Sequence, residues 1–355
     1  MVASPSDLPT SIQSDMASFM AQVSSLQHGQ LIQQVLETIL RMVGREADRL
    51  DWKILNYALQ DMEKGFQLFY PHRHIRKVTI FGSARLSADS PEYQMALEFA
   101  QRITQQGFMV MTGAGGGIME AGNKGAGPDQ SFGLNIQLPF EQGANPAIEN
   151  DPKLLNFKYF FTRKLFFLRE SDALALFPGG FGTQDEAFEA LTLVQTGKAG
   201  PLPLVLVDRP GGDYWLSWDS YIRSHLLERG LISLDDPSLY TITHNLDEAC
   251  EAISSFYRVF HSTRYVGEQL VIRLKQPISE TAIAQLNQDF SDILKSGKIQ
   301  ASQVLAAEQG DETEHLPRLV LHFNHRDFGR LYQLIGTLNQ LGDDHSPASE
   351  HPEQK

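Results

Sequence analysis

The sequence predicts an α/β chain: a doubly wound, Rossmann-like parallel sheet, preceded by a helical arm and followed by a small α+β domain of ferredoxin-like order. Three observations predict it. From Val78 to Arg229, short apolar strands alternate with stretches of helical periodicity. Three of these strands run into glycine-bearing loops, after Phe81, Met111 and Phe177. Past His261 the alternation gives way to a strand–helix–strand–strand–helix order.

The elements follow in order. Met1 to about Gln27 is polar and Ser-rich and is expected to be mobile. From Leu31 to Tyr70 the spacing is helical. Leu31, Val35, Ile39 and Leu40 share one face, and Trp52, Leu55, Leu59, Met62 and Phe66 share another, with Pro71 as the stop. Val78–Phe81 is a strand leading into Gly82-Ser83-Ala84-Arg85, followed by a helix from about Glu92 to Gln106 that Gly107 caps. Phe108–Met111 is the next strand. It runs into Thr112-Gly113-Ala114-Gly115-Gly116-Gly117 and a helix from about Ile118 to Lys124. Gly133–Leu138 is a third strand, and a helix around Arg163 leads to the apolar strand Ala173–Phe177. Helical spacing returns over Ala187–Gln195, then come strand Leu204–Val207 and helix Trp215–Arg229. The last region reads as strand Leu270–Leu274, helix Glu280–Leu294, strands Val304–Ala307 and Arg318–Phe323, and helix Phe328–Leu341. Gly342–Lys355 is polar and expected to be disordered. The expected domains are therefore a tail and arm over 1–70, a Rossmann-like α/β domain over 71–262, a βαββα domain over 263–341 and a tail over 342–355.

Composition narrows the function. The chain of 355 residues carries a formal net charge of −13, and 42% of it is hydrophobic. An acidic surface repels nucleic acid and anionic membrane, so neither is expected as a partner. A phosphate site must then be local, built from backbone amides and a few cations. Cys250 is the single cysteine, which excludes an internal disulfide and a Cys-based metal cluster. The first fifteen residues lack a basic stretch followed by an apolar one, and no apolar run approaches the roughly 20 residues of a membrane span. A soluble cytoplasmic protein without metal or cofactor is expected.

The densest signal is Phe177-Pro-Gly-Gly-Phe-Gly-Thr-Gln-Asp-Glu186, a strand-to-helix turn. Gly179, Gly180 and Gly182 let the backbone approach a ligand, and Thr183 can start the helix as N-cap or first turn. Free amides at a helix N-terminus favour phosphate. Glu186 is then expected in the first helical turn, where a carboxylate beside a phosphate implies chemistry. The second glycine turn, Gly115-Gly116-Gly117-Ile118-Met119-Glu120, is neither a Walker loop nor the dinucleotide fingerprint. Arg163 and Lys164 lie on an amphipathic helix with Phe157, Phe160, Phe161, Leu165 and Leu168. On their own they read more readily as a solvated basic pair on a core helix.

The pattern Pro-Gly-Gly-x-Gly-Thr-x-x-Glu resembles the signature of the LONELY GUY family of nucleoside 5′-monophosphate phosphoribohydrolases, long labelled lysine decarboxylase-like. The resemblance extends from about Ile75 to about Phe260. The family's second loop reads Thr-Gly-Gly-Gly-Pro-Gly-Ile-Met-Glu-Ala; here Ala114 replaces a glycine and Gly116 the proline. The resemblance implies Glu186 and Arg163 as catalytic residues, with Arg163 clamping ribose hydroxyls or phosphate. It implies Gly82, Ser83, Gly115, Gly116, Met119, Lys164, Gly179, Gly180, Gly182 and Thr183 as substrate- and phosphate-binding residues. The implied reaction is hydrolysis of a purine or cytokinin-type ribotide to free base and ribose 5-phosphate, without metal. The implied assembly is a homodimer or a multiple of it, through helices beside the site. A carboxylate near C1′ suits N-glycosidic cleavage, because it stabilises an oxocarbenium-like transition state. The alternative is a non-catalytic nucleotide or cofactor carrier on the same fold, since molybdenum-cofactor carriers share it. A regulatory role for the C-terminal unit is compatible with either. No lysine stands in a convincing pyridoxal phosphate context. His72 and His74 are a weaker metal-pair candidate.

Overall fold

A computed structural model describes residues 10–43, 47–137 and 143–342. The chain falls into two compact units, residues 1–63 and 64–355. In the first, α1 (Thr10–Val23) and α2 (Gly29–Val43) precede α3 (Arg49–Phe69), which runs on into the second unit. Within the start expected to be mobile, Thr10–Val23 is a helix. The expected disordered tail past Gly342 lies outside the described residues, as does the far end of the third strand at residue 138.

The second unit holds two sheets. The larger consists of β1 (Lys77–Phe81), β2 (Met109–Thr112), β3 (Ser131–Ile136), β4 (Leu154–Phe157), β5 (Ala173–Leu176), β6 (Leu204–Val207) and β7 (Thr241–Thr243). All are parallel, in the order β4-β3-β2-β1-β5-β6-β7. The helices between them are α4 (Pro91–Gln105), α5 (Ile118–Ala126), α6 (Phe160–Glu170), α7 (Phe181–Gln195), α8 (Tyr214–Tyr221, continuing as a π-turn over Ile222–Leu227) and α9 (Leu246–Phe256). Local chemistry starts them. Ser90 accepts the Tyr93 amide and Pro91 takes the first position of α4; Asn245 accepts the Asp247 and Glu248 amides at the start of α9. Val78, Ile80, Val110, Ala173, Ala175 and Val205 bury one face of the sheet under α4, α5 and α9. On the other face Phe81 meets Phe167 edge-on at 5.0 Å, and Phe69 stacks on Phe166.

Strand order reverses between β1 and β5, so the loops leaving these two strands diverge and open a crevice at their carboxyl ends. Those loops are the Gly82 and Gly179 segments.

The smaller sheet is antiparallel. It consists of β8 (Phe260–Val266), β9 (Gln269–Leu274), β10 (Leu294–Ser302) and β11 (Arg318–Phe323), in the order β10-β11-β9-β8, with α10 (Glu280–Asp289) and α11 (Phe328–Leu341). Strands β9 and β10 flank β11 as a split β-α-β unit, which is the ferredoxin-like order. The edge beside β9, filled in the usual order by a final strand, is here taken by β8, which precedes the unit.

Several expectations change. Strands β4, β7, β8 and helix α9 were absent from the sequence reading. Helix α10 stops at Asp289 instead of Leu294, and β10 occupies Leu294–Ser302, whereas Val304–Ala307 is not a strand. β10 contains Gly297 and is mostly exposed, with Ile299 buried, an edge strand without the alternation that marks one. Residue 262, the expected boundary, falls within β8.

Candidate functional site

The three glycine loops are tied together by backbone hydrogen bonds. Ser83 N donates to Pro178 O at 3.1 Å, Ile118 N to Ser83 O at 3.0 Å, and Phe177 N to Phe81 O at 2.9 Å. A side chain at Gly82 would strike Ile118, and one at Gly179 would strike Thr183 Oγ1. These glycines let the loops lie against one another. Gly180 and Gly182 differ, because a Cβ there would meet nothing within 4 Å. Their open side is a cleft of about 790 Å³.

Helix α7 starts at Phe181, with Gly180 as an N-cap that supplies no side chain. Thr183 is therefore in the first turn and is buried. Glu186 sits one turn deeper than expected. No side chain caps the amides of this helix end, which open at the mouth of the cleft. Tyr214 steadies the loop by donating to Gly179 O at 2.5 Å and accepting from Gln184 Nε2 at 2.6 Å.

Glu186 lines the cleft with only 12% of its side chain exposed. Burial lifts its carboxyl to a pKa of about 7, against the opposing pull of Lys164 and Arg163. Lys164 Nζ is 3.9 Å from Glu186 Oε2, 2.8 Å from Asp185 Oδ2, and also bonded to Glu189. Its ammonium is held above its ordinary range: the bonds to Asp185 and Glu189 outweigh burial. Arg163 donates Nε to Leu134 O at 2.8 Å. Its guanidinium reaches over the second glycine loop, since a Cβ on Gly113 would come within 2.5 Å of Nη2 and 2.7 Å of Met119 Sδ. Burial lowers its pKa to about 10, with Glu186 acting in the opposite sense, so it stays charged at neutral pH.

The second glycine loop rests on a buried polar network. Thr112 Oγ1 donates to Asn123 Oδ1 at 2.7 Å and accepts Ala114 N at 3.0 Å. Asn145 Nδ2 donates to Asn123 Oδ1 and to Gly115 O, both at 2.9 Å. Ala114 has φ +61°, the left-handed region that glycine occupies freely and alanine enters at a cost of roughly 1–2 kcal/mol. Asn145 N clamps the Ala114 carbonyl at 2.8 Å and helps hold it there.

Of the residues expected from sequence, Gly82, Ser83, Met119, Arg163, Gly179, Gly180, Gly182, Thr183 and Glu186 line one cleft. Lys164 stands behind Glu186, and Gly115 and Gly116 are outside the lining. The Ser83 amide is committed to Pro178, and its hydroxyl accepts the Arg85 amide at 3.2 Å. Arg85, Phe160, Phe181 and Gln184 join the lining unannounced. Arg85 and Phe181 stand inside motifs already singled out, while nothing in the sequence marks Asn145 or Tyr214. His72 packs edge-on against Phe132 at 5.2 Å. No group of three metal-ligating side chains occurs among the described residues.

Comparison with known proteins bears on the same stretch. A family model described as "Possible lysine decarboxylase" matches residues 111–253, which include the second glycine loop, Arg163 and the whole Gly179–Glu186 segment. No curated protein sequence matches the chain. Among solved structures it is similar to TM1055, at 23% identity over 50% of this chain and 97% of that one, with a TM-score of 0.36. A molybdenum cofactor carrier protein from Chlamydomonas reinhardtii is 20% identical over 50% of this chain and 96% of its own, with a TM-score of 0.36. DNA processing protein A from Helicobacter pylori is 16% identical over 50% and 79%, with a TM-score of 0.35. The family description fits the site poorly. A pyridoxal phosphate decarboxylase needs a lysine free to form a Schiff base, and Lys164 is engaged by carboxylates behind the cleft. No helix among the described residues is long and apolar enough to cross a membrane.

Proposed function

We propose that the cleft binds a nucleoside 5′-monophosphate, of purine or cytokinin-riboside type, and hydrolyses its N-glycosidic bond. One observation carries the reading: a buried carboxylate with a pKa of about 7, flanked by two cations, in a cleft that begins at an open helix N-terminus. The phosphate meets the amides at the start of α7. The ribose then lies along the first turns, with C1′ near Glu186. As the bond to the base lengthens, positive charge grows on the ring, and the Glu186 carboxylate stabilises it and orients the attacking water. Water supplies the hydroxyl at C1′, and its proton leaves with the base. Arg163, held by Leu134 and stacked near Phe167, anchors ribose hydroxyls by bidentate donation. Lys164 fixes Glu186 and leaves it enough negative charge to work.

The same reading includes a homodimer. Phe161 and Leu165 on α6 are 53% and 44% exposed, an apolar strip beside the site. The deciding experiment is incubation with a panel of nucleoside monophosphates and chromatography for free base. Release of base with equimolar ribose 5-phosphate is the expected outcome. Tight nucleotide binding without release would favour a carrier.

A further inference from the structure

The cleft carries two exposed aromatic rings that the chemistry above does not use. Phe160 is the first residue of α6 and Phe181 the first of α7, with exposures of 54% and 96%. Both line the cleft. Among the described residues neither ring pairs with another aromatic side chain; Phe161, next to Phe160, is by contrast stacked on Tyr159 at 5.4 Å. Apolar rings left open in a cleft are surface held ready for an apolar face of a ligand.

The two rings stand at different distances along the ligand. The phosphate belongs at the uncapped start of α7, beside Phe181. Glu186 is five residues further on, about 7.5 Å along the axis at 1.5 Å per residue. That separation fits the step from a 5′-phosphate to C1′. The base therefore projects past Glu186, away from Phe181 and toward Arg163, which interacts with Glu186. Phe160 lies three residues before Arg163 on the same helix, so the two share a face. Met119 is the other apolar side chain on that side, its sulfur within reach of the Arg163 guanidinium over Gly113.

We infer that Phe160 is the platform on which the nucleobase stacks, a conclusion that rests on the nucleotide reading of the cleft. Phe181 flanks the phosphate and does not read the base. Recognition by a ring face carries no hydrogen-bond code, so this contact rewards planar ring area and tolerates changes at the ring edge.

The test compares ligands with and without a base, by calorimetry on full-length Glu186→Gln protein to prevent turnover. Adding Phe160→Ala should weaken adenosine 5′-monophosphate about 5- to 150-fold, the range of one lost base–aromatic stack. Ribose 5-phosphate should change less than twofold. Phe160→Trp should restore nucleotide affinity. Phe181→Ala should change both ligands by the same factor. Equal losses for the two ligands in Phe160→Ala, or none, would overturn the assignment while leaving the cleft a nucleotide site. Failure of both ligands to bind the parent protein would overturn the nucleotide reading itself. Phe160 is half-exposed on the first turn of its helix, so its truncation leaves the core intact, and the Trp variant separates stacking from any loss of fold.

Discussion

Two buried carboxylates in this molecule have opposite surroundings. Glu308, in the small sheet's loop, is fully buried, yet its acid is held below the usual range. Burial pushes it up, but hydrogen bonds from Arg273 and Arg318 outweigh that. Arg273 reaches Oε1 with Nε at 2.9 Å and Nη2 at 2.6 Å, and Arg318 Nη1 reaches Oε2 at 2.6 Å. Glu186 is slightly less buried and sits at about 7, because burial outweighs the pull of Lys164, which is 3.9 Å away and shared with Asp185 and Glu189, and of Arg163. A completed set of donors makes a clip; an incomplete one leaves a group that can take up or release charge during a reaction.

The contrast breaks most visibly at Glu308. Glu308→Ala strands Arg273 and Arg318, with 10% and 1% of their side chains exposed, and should cost about 3–5 kcal/mol in chemical denaturation. Nucleotide cleavage per folded molecule should be unchanged. Glu186→Gln should do the reverse. Turnover should fall at least about a hundredfold with little change in nucleotide affinity, the scale of losing one electrostatic or acid–base group. Near-normal turnover would remove Glu186 from the chemistry.

The same pair should separate in pH. Glu186 has a folded pKa above its ordinary 4.5, so its burial costs nothing below that value. The cost sets in as pH rises and is complete above about 7, where it amounts to about 3 kcal/mol. Melts of Glu186→Gln against the parent should therefore show a stability gain that grows from pH 4.5 to pH 7 and then levels. Glu308, depressed in the fold, has the other sign: its contribution is present above the unfolded pKa and is lost on acidification through the folded one. A flat difference for Glu186→Gln would mean its charge is better satisfied than its neighbours suggest.

Smaller effects sharpen the comparison. Gly182→Val adds atoms where there is open space, so the fold should hold while affinity for a nucleoside 5′-monophosphate drops about tenfold or more, roughly one charge-assisted hydrogen bond. The unphosphorylated nucleoside should hardly notice, and equal losses would show that the loop does not bind phosphate. Phe161→Asp places a charge on the exposed strip of α6 and should shift sedimentation from dimer to monomer at micromolar concentration. An unchanged profile would move the interface elsewhere.

Much of this was legible beforehand, for identifiable reasons. Strands β1, β2, β5 and β6 are buried on both faces and read as apolar runs, and the glycine loops announce the ends of β1, β2 and β5. Edges are harder. β4 is mostly partly exposed and β7 is only Thr241–Thr243, so neither shows a core pattern. In β8, Phe260 is the only fully buried residue, which hides a strand that completes the small sheet. Helix α9 was readable and missed: Leu246, Ala249, Cys250 and Ile253 keep helical spacing behind an Asn cap. In the cleft, residues inside dense motifs could be found, whereas Tyr214, at the start of α8, and Asn145 act from distant parts of the sequence, each through more than one hydrogen bond. Only the folded chain brings them near.

The docking of α11 bears on how the chain is made. Every strand of the large sheet is synthesised by Thr243, but the backbone just before β6 is completed later. Tyr332 OH accepts Leu202 N at 3.0 Å and donates to Leu202 O at 2.9 Å, and Asn339 accepts the amides of Val259 and Phe260. At about 5–20 residues per second, the ribosome takes several seconds to pass from the end of β7 to Tyr332. Through that interval a nascent chain carries a nearly finished α/β fold with one buried segment still waiting for its last helix. Translation that stops early should hand the protein to chaperones and proteases, although every residue of its cleft has already been made.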